Sequence, residues 1–222
     1  SLREQIGDIG DLERLSSRVA TGRILPRELV QLKNSLTAME NLKALLDSSD
    51  ADCLHAIADK IDPLCSLRDK LGREILPDPV NNQIQKGGVI AEGVSAELDE
   101  LRRVAINGRD VLQMIQQRES ELTGIPSLKI SYNNVFGYYI EVRNAHKDKV
   151  PESWIRKQTL ANAERYITEE LKEYESKILG AQDRILAIEA EIYNALIQHI
   201  STHLQTILSD AAEIARLDCL QG

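Results

Sequence analysis

A run of apolar residues at heptad spacing, beginning after Thr168, constrains this chain more than any other feature. Two heptad positions are filled by aliphatic residues and one tyrosine: Leu171, Ile178, Ile185 and Ile192, and Tyr174, Ala181, Ile188 and Ala195. The pattern continues, with drift, to Leu208, and about 40 residues without proline predict one continuous helix of about 60 Å. Because an apolar seam this narrow is stable only against a second helix, the chain must supply a partner for it.

The predicted partner is the stretch 94–122, whose apolar residues recur at steps of three and four. These residues predict a helix of about 42 Å, which Pro126 ends. Thr168 is predicted to cap the later helix, with Glu169 and Glu170 in its first turn. We therefore expect two long helices that run antiparallel.

Between these helices the apolar spacing changes from helical to alternating. Residues 128–143 alternate on either side of turn-forming residues at 133–137, which predicts a β-hairpin. Residues 154–168 are open to two interpretations, because their centre is compatible with a helix while Tyr166 and Ile167 favour extended backbone. We prefer a second hairpin.

The first 93 residues indicate short helices joined by proline and glycine turns. Pro26 opens the longest of them, and leucines then recur at helical spacing as far as Leu46. The predicted fold class is mainly α. Four segments are expected: a helical core over residues 1–93, an ascending helix over 94–127, a small antiparallel β unit over 128–167 at the tip of the helix pair, and a descending helix over 168–222 that returns to the core.

Composition excludes several classes of protein. Aromatic residues make up 4%, too few for a typical all-β domain. The cysteines, Cys53, Cys65 and Cys219, contain no CxxC pair, so we expect neither a disulfide framework nor a zinc site, and a cytoplasmic location. Neither a signal peptide nor an apolar run of about 18 residues indicates a membrane protein. The start at Ser1, without methionine, suggests a fragment of a larger protein.

Charge is distributed unevenly along the chain. The formal net charge of −8 excludes a strongly basic nucleic-acid binder as a description of the whole chain. Residues 129–168, however, carry seven basic and four acidic side chains, a net charge of +3, so the remainder carries −11. An acidic arm with a basic β tip suits a protein that touches a polyanion only at its end.

The basic tip contains hydrogen-bond donors of several kinds within ten residues: Arg156, Lys157, Gln158, Thr159, Asn162 and Arg165. Phosphate oxygens only accept hydrogen bonds, so this set is typical of contacts to a nucleic-acid backbone. The alternative is a solvated strand with ordinary surface charges, and strict alternation would place Arg156 and Lys157 on its opposite faces. Phe136, Tyr138 and Tyr139 could stack on bases, but a small β unit needs aromatic residues for its own core.

No catalytic or metal-binding motif emerges from the sequence. His199 and His203 lie four residues apart, a spacing that can bind a metal, but no third ligand is nearby and exposed histidines are the simpler interpretation. Acidic pairs such as Glu189 and Glu191 are interpreted as solubilising helix surface. Glycine motifs for phosphate binding and a nucleophile elbow are absent from the sequence. We expect no enzyme activity, no catalytic residues, and no metal or cofactor in this chain.

Several segments carry a resemblance to a known family. They are DIGDLERL at residues 8–15, YNNVFGYYIEV at 132–142, IRKQTLANAERYIT at 155–168 and ELKEYE at 170–175. On these segments the chain resembles bacterial members of the MutS family of DNA mismatch-repair proteins. The resemblance covers essentially the whole chain and corresponds to the helical core, the levers and the clamp of that family.

The resemblance implies a function that composition did not show. The full-length protein would pair with a second MutS subunit to enclose duplex DNA, and the clamp would close over the backbone without reading bases. The levers would link the clamp to an ATPase domain that uses ATP and magnesium, and a MutL-type protein would be a further partner. Neither a Walker loop nor a mismatch-wedge motif occurs in these 222 residues. The family's backbone contacts would fall on Arg156, Lys157, Thr159 and Asn162, with Lys147 and Lys149 on a neighbouring loop.

We therefore expect this chain to be the lever and clamp region of a MutS-like protein. It should contact duplex DNA non-specifically, with an affinity that falls as the salt concentration rises. The competing hypothesis is a structural antiparallel coiled coil, or a protein-interaction module, with no DNA binding of its own. Dimerisation through Leu171, Ile178 and Ile185 would favour that hypothesis.

Overall fold

The computed structural model describes residues 2–221, whose backbone forms eight α-helices and a four-stranded sheet. The helices are α1 (Leu2–Asp8), α2 (Leu12–Ala20), α3 (Pro26–Asp47), α4 (Asp52–Ala58), α5 (Cys65–Glu74), α6 (Ala96–Thr123), α7 (Glu169–Ser201) and α8 (Leu204–Gln221). The strands are β1 (Lys129–Asn133), β2 (Gly137–Arg143), β3 (Ile155–Thr159) and β4 (Ala163–Ile167), and 3₁₀ helices lie at Ile84–Lys86 and Asn144–Lys149. The predicted class, mainly α with a small antiparallel β unit, is confirmed.

The chain divides into two compact units. The first contains the described residues up to Ser95 together with those from Leu186 onward, and its helices are joined by loops that include a single β-bridge between Ile75 and Ile90. The second unit, Ala96–Ile185, contains α6, the whole sheet and the first part of α7. The six predicted backbone-contact residues all belong to the second unit.

Leucines along one face of α3 form much of the core of the first unit. The helix begins at Pro26, as predicted, and the Glu28 carboxylate accepts the N–H of Leu25 at 3.0 Å to close its first turn. The leucines of the buried face are at most 1% exposed: Leu29, Leu32, Leu36, Leu42 and Leu46. The three- and four-residue spacing seen in the sequence is therefore the spacing of a core face.

A buried carboxylate ties the loop after α5 to α7. Glu189 is only 1% exposed. It accepts the N–H groups of Gly88, Val89 and Ile90, with distances from 2.8 to 3.0 Å. Gly87 and Gly88 have φ values of 67° and 72°, which other residues rarely adopt, and this backbone turns successive N–H groups toward one anion. The interpretation of Glu189 as solubilising surface is therefore wrong.

A second buried acid, Asp210 of α8, holds the connection between α4 and α5. One of its oxygens accepts the N–H of Asp62 at 2.9 Å, and the other has no hydrogen-bond partner among the described atoms. Burial raises the pKa of the Asp210 carboxyl to about 6. Lys43 of α3 completes the connection by donating to the carbonyls of Ala58 and Ile61, at 2.6 and 3.0 Å. Side chains from α3 and α8 thus fix this turn.

Within the second unit, α6 and the first part of α7 pair antiparallel, as the heptad seam predicted. Ion pairs close both ends of the pair, Arg184 Nε to Glu97 Oε1 at 3.0 Å and Arg118 Nη2 to Glu170 Oε2 at 2.6 Å. Midway, Gly108 of α6 leaves room for the buried side chain of Ile178. The predicted cap is also confirmed, because the Leu171 N–H donates to Thr168 Oγ1 at 3.1 Å.

The four strands lie in the order β1-β2-β4-β3, and every neighbouring pair is antiparallel. β3 and β4 form the second hairpin, which confirms that prediction over the helical alternative. Extended backbone prevails here because pairing in the sheet buries both Tyr166 and Ile167. One sheet face joins the helix pair in a single core: Leu112, Ile125, Leu128, Ile140, Val142, Trp154, Tyr166, Leu171 and Ile178.

The prediction of one uninterrupted helix after Thr168 is wrong, because α7 ends at Ser201 and α8 begins at Leu204. At the break, the Thr202 N–H and hydroxyl both donate to the His199 carbonyl, at 3.2 and 2.7 Å. This tighter turn replaces the regular helical hydrogen bond, and heptad spacing carries no sign of it. No helix within residues 2–221 combines the length and apolarity needed to cross a membrane.

Candidate nucleic-acid interface

The register of the sheet assigns the candidate residues to faces. Tyr166 of β4 lies opposite Ile140 on one side and Arg156 on the other, so Arg156 belongs to the face that meets the helices. Arg165 lies opposite Glu141 and Gln158, which places those residues on the other face. Cross-strand neighbours share a face because side chains alternate along each strand.

Lys157 is the extra residue of a β-bulge in β3. The register shifts between Arg156 and Gln158, so that Lys157 has no partner of its own across the strand pair. Strict alternation is therefore interrupted at this point, so that alternation alone no longer assigns Arg156 and Lys157 to opposite faces of the sheet. The bulge lies on an edge strand, and the Lys157 side chain is exposed.

Arg156 has an acidic partner that the sequence did not indicate. Its Nη1 atom lies 3.5 Å from Oε1 of Glu164, and the Arg156 side chain is 61% exposed while that of Glu164 is 12% exposed. The Tyr166 hydroxyl donates to the other oxygen of Glu164. Burial, reinforced by this acid, raises the pKa of Tyr166 to about 12. Alternation along β4 was the available signal, since it places Glu164 on the face of the buried Tyr166.

Thr159 and Asn162 lie at the exposed end of the second hairpin. Asn144 fixes this end, because its backbone N–H donates to the Asn162 carbonyl at 3.1 Å and its side-chain amide donates to the Ala161 carbonyl at 3.0 Å. Sequence reasoning missed Asn144, whose partner Ala161 lies 17 positions further along the chain. The hairpin end is thereby attached to the segment that follows β2.

Lys147 and Lys149 lie on that segment, the 3₁₀ helix Asn144–Lys149, and both are exposed. Lys149 Nζ also lies 3.4 Å from the carbonyl oxygen of Gly124, a long hydrogen bond. Because Asn144 begins this helix and also holds the hairpin end, the segment that carries the two lysines is attached directly to the hairpin. We call the six predicted residues the donor strip: Arg156, Lys157, Thr159, Asn162, Lys147 and Lys149.

Arg165 and Gln158, which the sequence also offered as donors, are occupied within the sheet. Arg165 pairs with Glu141 at 3.1 Å and donates to Gln158 at 2.9 Å. Its guanidinium lies 4.4 Å from the centre of the Tyr139 ring, a cation–π contact. These residues form a polar row across three strands, so their contacts stabilise the sheet.

The three aromatic residues pack within the β unit, Tyr138 against the core shared with the helices and Phe136 and Tyr139 against each other. Tyr139 is 6% exposed, and the Phe136 ring lies 5.5 Å from it. Burial raises the pKa of the half-buried Tyr138 hydroxyl. The His199 and His203 rings lie 5.3 Å apart, but within residues 2–221 no three histidine, cysteine or acidic side chains gather as metal ligands would.

Comparison with known proteins adds an independent finding. The model of MutS family domain IV matches residues 93–184. A DNA mismatch repair protein MutS from Phocaeicola vulgatus is 58% identical over 219 residues, which are 99% of this chain and 25% of that protein. The chain belongs to the MutS family. Proteins of the same name from Bacteroides fragilis and Christiangramia forsetii are 57% and 56% identical over 99% of this chain.

The chain spans about a quarter of the length of the curated MutS relatives it matches. The part that matches MutS domain IV, residues 93–184, nearly coincides with the second compact unit, Ala96–Ile185. The helix pair, the sheet and the donor strip therefore all lie within the MutS domain IV match.

Proposed function

We propose that the donor strip contacts the phosphate backbone of duplex DNA, without reading bases, as part of a MutS mismatch-repair protein. One observation carries the proposal: the β unit, with a net charge of +3, exposes the four cations of the donor strip together with Thr159 and Asn162, whereas two of its remaining donors, Arg165 and Gln158, are engaged in the sheet. Lysine, hydroxyl and amide groups suit phosphate oxygens, which only accept hydrogen bonds.

Binding of this kind is electrostatic. If three to four phosphates are neutralised, the logarithm of the affinity falls with the logarithm of salt concentration with a slope of about −3. Between about 25 and about 200 mM salt, this slope corresponds to a loss of a few hundredfold. The acidic remainder of the chain, at −11, repels DNA and confines contact to the β unit.

The antiparallel pair of α6 and α7 supports a lever role within this proposal. The helices share a core with the sheet through Leu112 and Ile178, so a displacement of the sheet moves the helix pair with it. In the full-length protein we propose that these helices link DNA contact to an ATPase domain that binds ATP and magnesium. A second MutS subunit completes the ring around DNA, and a MutL-type protein is a further partner. This chain itself contributes no catalytic group, and its cytoplasmic location stays a prediction.

The test is fluorescence anisotropy of a labelled, fully matched duplex titrated with the chain at low and high salt. Lys147→Gln/Lys157→Gln should lose about tenfold or more in affinity at low salt and about two units of the salt slope. Arg23→Gln/Lys86→Gln is the matched control, because it removes two exposed cations from the first unit. Equal losses for both double variants would contradict the donor strip as the contact surface.

A scaffold without DNA binding is the second candidate, and exposed apolar residues on α6 favour it. Ile106, Met114 and Leu122 are 56%, 68% and 74% exposed, which suits docking of another helix. Dimerisation through Leu171 and Ile178 is disfavoured, because both side chains are already fully buried within the chain. Sedimentation of the chain without DNA that shows a concentration-dependent dimer, combined with no anisotropy change, would support the scaffold.

A further inference from the structure

The donor strip has a buried acid against it. Glu164 Oε1 lies 3.5 Å from the Arg156 guanidinium. Thr159, a second member of the strip, lies directly opposite Glu164 in the strand register. A phosphate placed between Arg156 and Thr159 would therefore approach a carboxylate as well as two donors.

Glu164 is held in this position and cannot easily turn away. Its side chain is 12% exposed, and the Tyr166 hydroxyl donates to the oxygen that does not face Arg156. Tyr166 is itself 6% exposed and packs its ring 5.9 Å from that of Trp154, so the donor is fixed by the core. The acid is thus part of the sheet's structure and not a mobile surface charge.

We propose that Glu164 limits the affinity of the donor strip for DNA, because its carboxylate competes with phosphate for Arg156. The inference rests on the proposed function and adds a regulation to it. When DNA approaches, the Arg156 guanidinium must either divide its N–H donors between phosphate and the Glu164 carboxylate or leave the carboxylate for the phosphate. Its net contribution to the free energy of DNA binding is therefore small. A clamp that must open to release duplex DNA benefits from contacts that are individually weak.

The sheet supplies a matched control for this local effect. Glu141 is also an ion-paired glutamate in a central strand, with Arg165 Nε at 3.1 Å. It lies on the opposite face of the sheet from Glu164, because Arg165 and Glu164 are neighbours in β4 and alternate. Neutralising either glutamate changes the net charge by the same amount, so a difference between the two variants reports position and not total charge.

The experiment compares Glu164→Gln, Glu141→Gln and the unmodified chain by anisotropy of a matched duplex over a range of salt concentrations. Glu164→Gln keeps an oxygen for the Tyr166 hydroxyl and removes the charge. It should bind about three- to tenfold more tightly at low salt, the effect of removing one like charge about 5 to 6 Å from a largely solvated phosphate, where the effective dielectric constant is about 45 to 80. Its salt slope should steepen by about one unit. Glu141→Gln should stay within about twofold of the unmodified chain.

Circular dichroism establishes that each variant is folded before binding is compared. Should Glu164→Gln fail to fold, Glu164→Asp withdraws the carboxylate from Arg156 by one methylene at unchanged net charge, and it should also bind more tightly. If the unmodified chain binds and the Glu164 variant binds equally or less well, the competition is contradicted while the proposed function stands. If neither binds at low salt, the proposed function fails for this chain, and the inference fails with it.

Discussion

Gly108 of α6 lies against Ile178 of α7, and substituting it tests the helix pair directly. A Cβ atom added there would lie 2.4 Å from Ile178 Cγ1 and 3.0 Å from Cδ1, whereas carbon atoms in contact are normally about 3.5 to 4 Å apart. Ile178 is fully buried, so relief requires a shift of the helices or an unfavourable side-chain rotamer. Overpacking of this kind costs about 1 to 3 kcal/mol.

Gly108→Ala also gains about 1 kcal/mol of helix propensity. Because the contact is more than 1 Å too short, we expect an overpacking cost of about 2 to 3 kcal/mol, which leaves a net loss of about 1 to 2 kcal/mol in the free energy of unfolding. Gly180 of α7 provides the control, since nothing lies within 4 Å of its added Cβ. Gly180→Ala should therefore stabilise the chain by about 0.5 to 1 kcal/mol.

Urea unfolding followed by circular dichroism at the helix signal measures both variants under the same conditions. The two midpoints should move in opposite directions. The double variant Gly108→Ala/Ile178→Ala should lose less free energy of unfolding than the two single variants lose together, because the Ile178 substitution removes the clashing atoms. If Gly108→Ala stabilises the chain as much as Gly180→Ala does, the close antiparallel contact is wrong.

Three further predictions concern the buried acids and the helix cap. Burial raises the pKa of Asp210 from 3.8 to about 6, so the folded chain retains this proton longer and loses stability as pH rises from about 4 to about 6. Asp210→Asn should thus raise the free energy of unfolding at pH 7, by at most about 3 kcal/mol, and not at pH 4, as urea unfolding at both pH values would show. Glu189→Ala should cost about 3 to 5 kcal/mol and speed hydrogen exchange at residues 88–90, whereas Glu173→Ala, on an exposed position, should be near neutral. Thr168→Ala should cost about 1 kcal/mol in thermal or urea unfolding, and Thr168→Ser should restore it.

The long helices and the hairpins were predictable because their spacing is a local property of the sequence. The heptad seam required a partner helix, and the Thr168 cap and the Pro126 stop fixed where the β unit begins and ends. Tyr166 and Ile167 decided between hairpin and helix because both become buried only in a sheet. Each of these signals is a preference of the residues themselves, expressed over a few neighbours.

The remaining features depend on contacts between distant residues. The Glu189 carboxylate meets N–H groups about 100 residues away, and nothing near Glu189 distinguishes it from a surface acid. Lys157 becomes a bulge residue only through its pairing with β4, and Glu164 becomes a partner of Arg156 for the same reason. The six residues of the donor strip came from a family resemblance, and periodicity alone would not have selected them over Arg165.

Mapping of backbone amide chemical shifts with a matched duplex would test the proposed DNA contact most directly. Spectra of the isotopically labelled chain are recorded at low salt with increasing DNA, and then at high salt. Contact through the donor strip predicts shifts concentrated in residues 144–149 and 156–162, with none beyond the noise in residues 2–92, and their reversal as salt rises. Shifts centred on the first unit, or no shifts at saturating DNA, would contradict it.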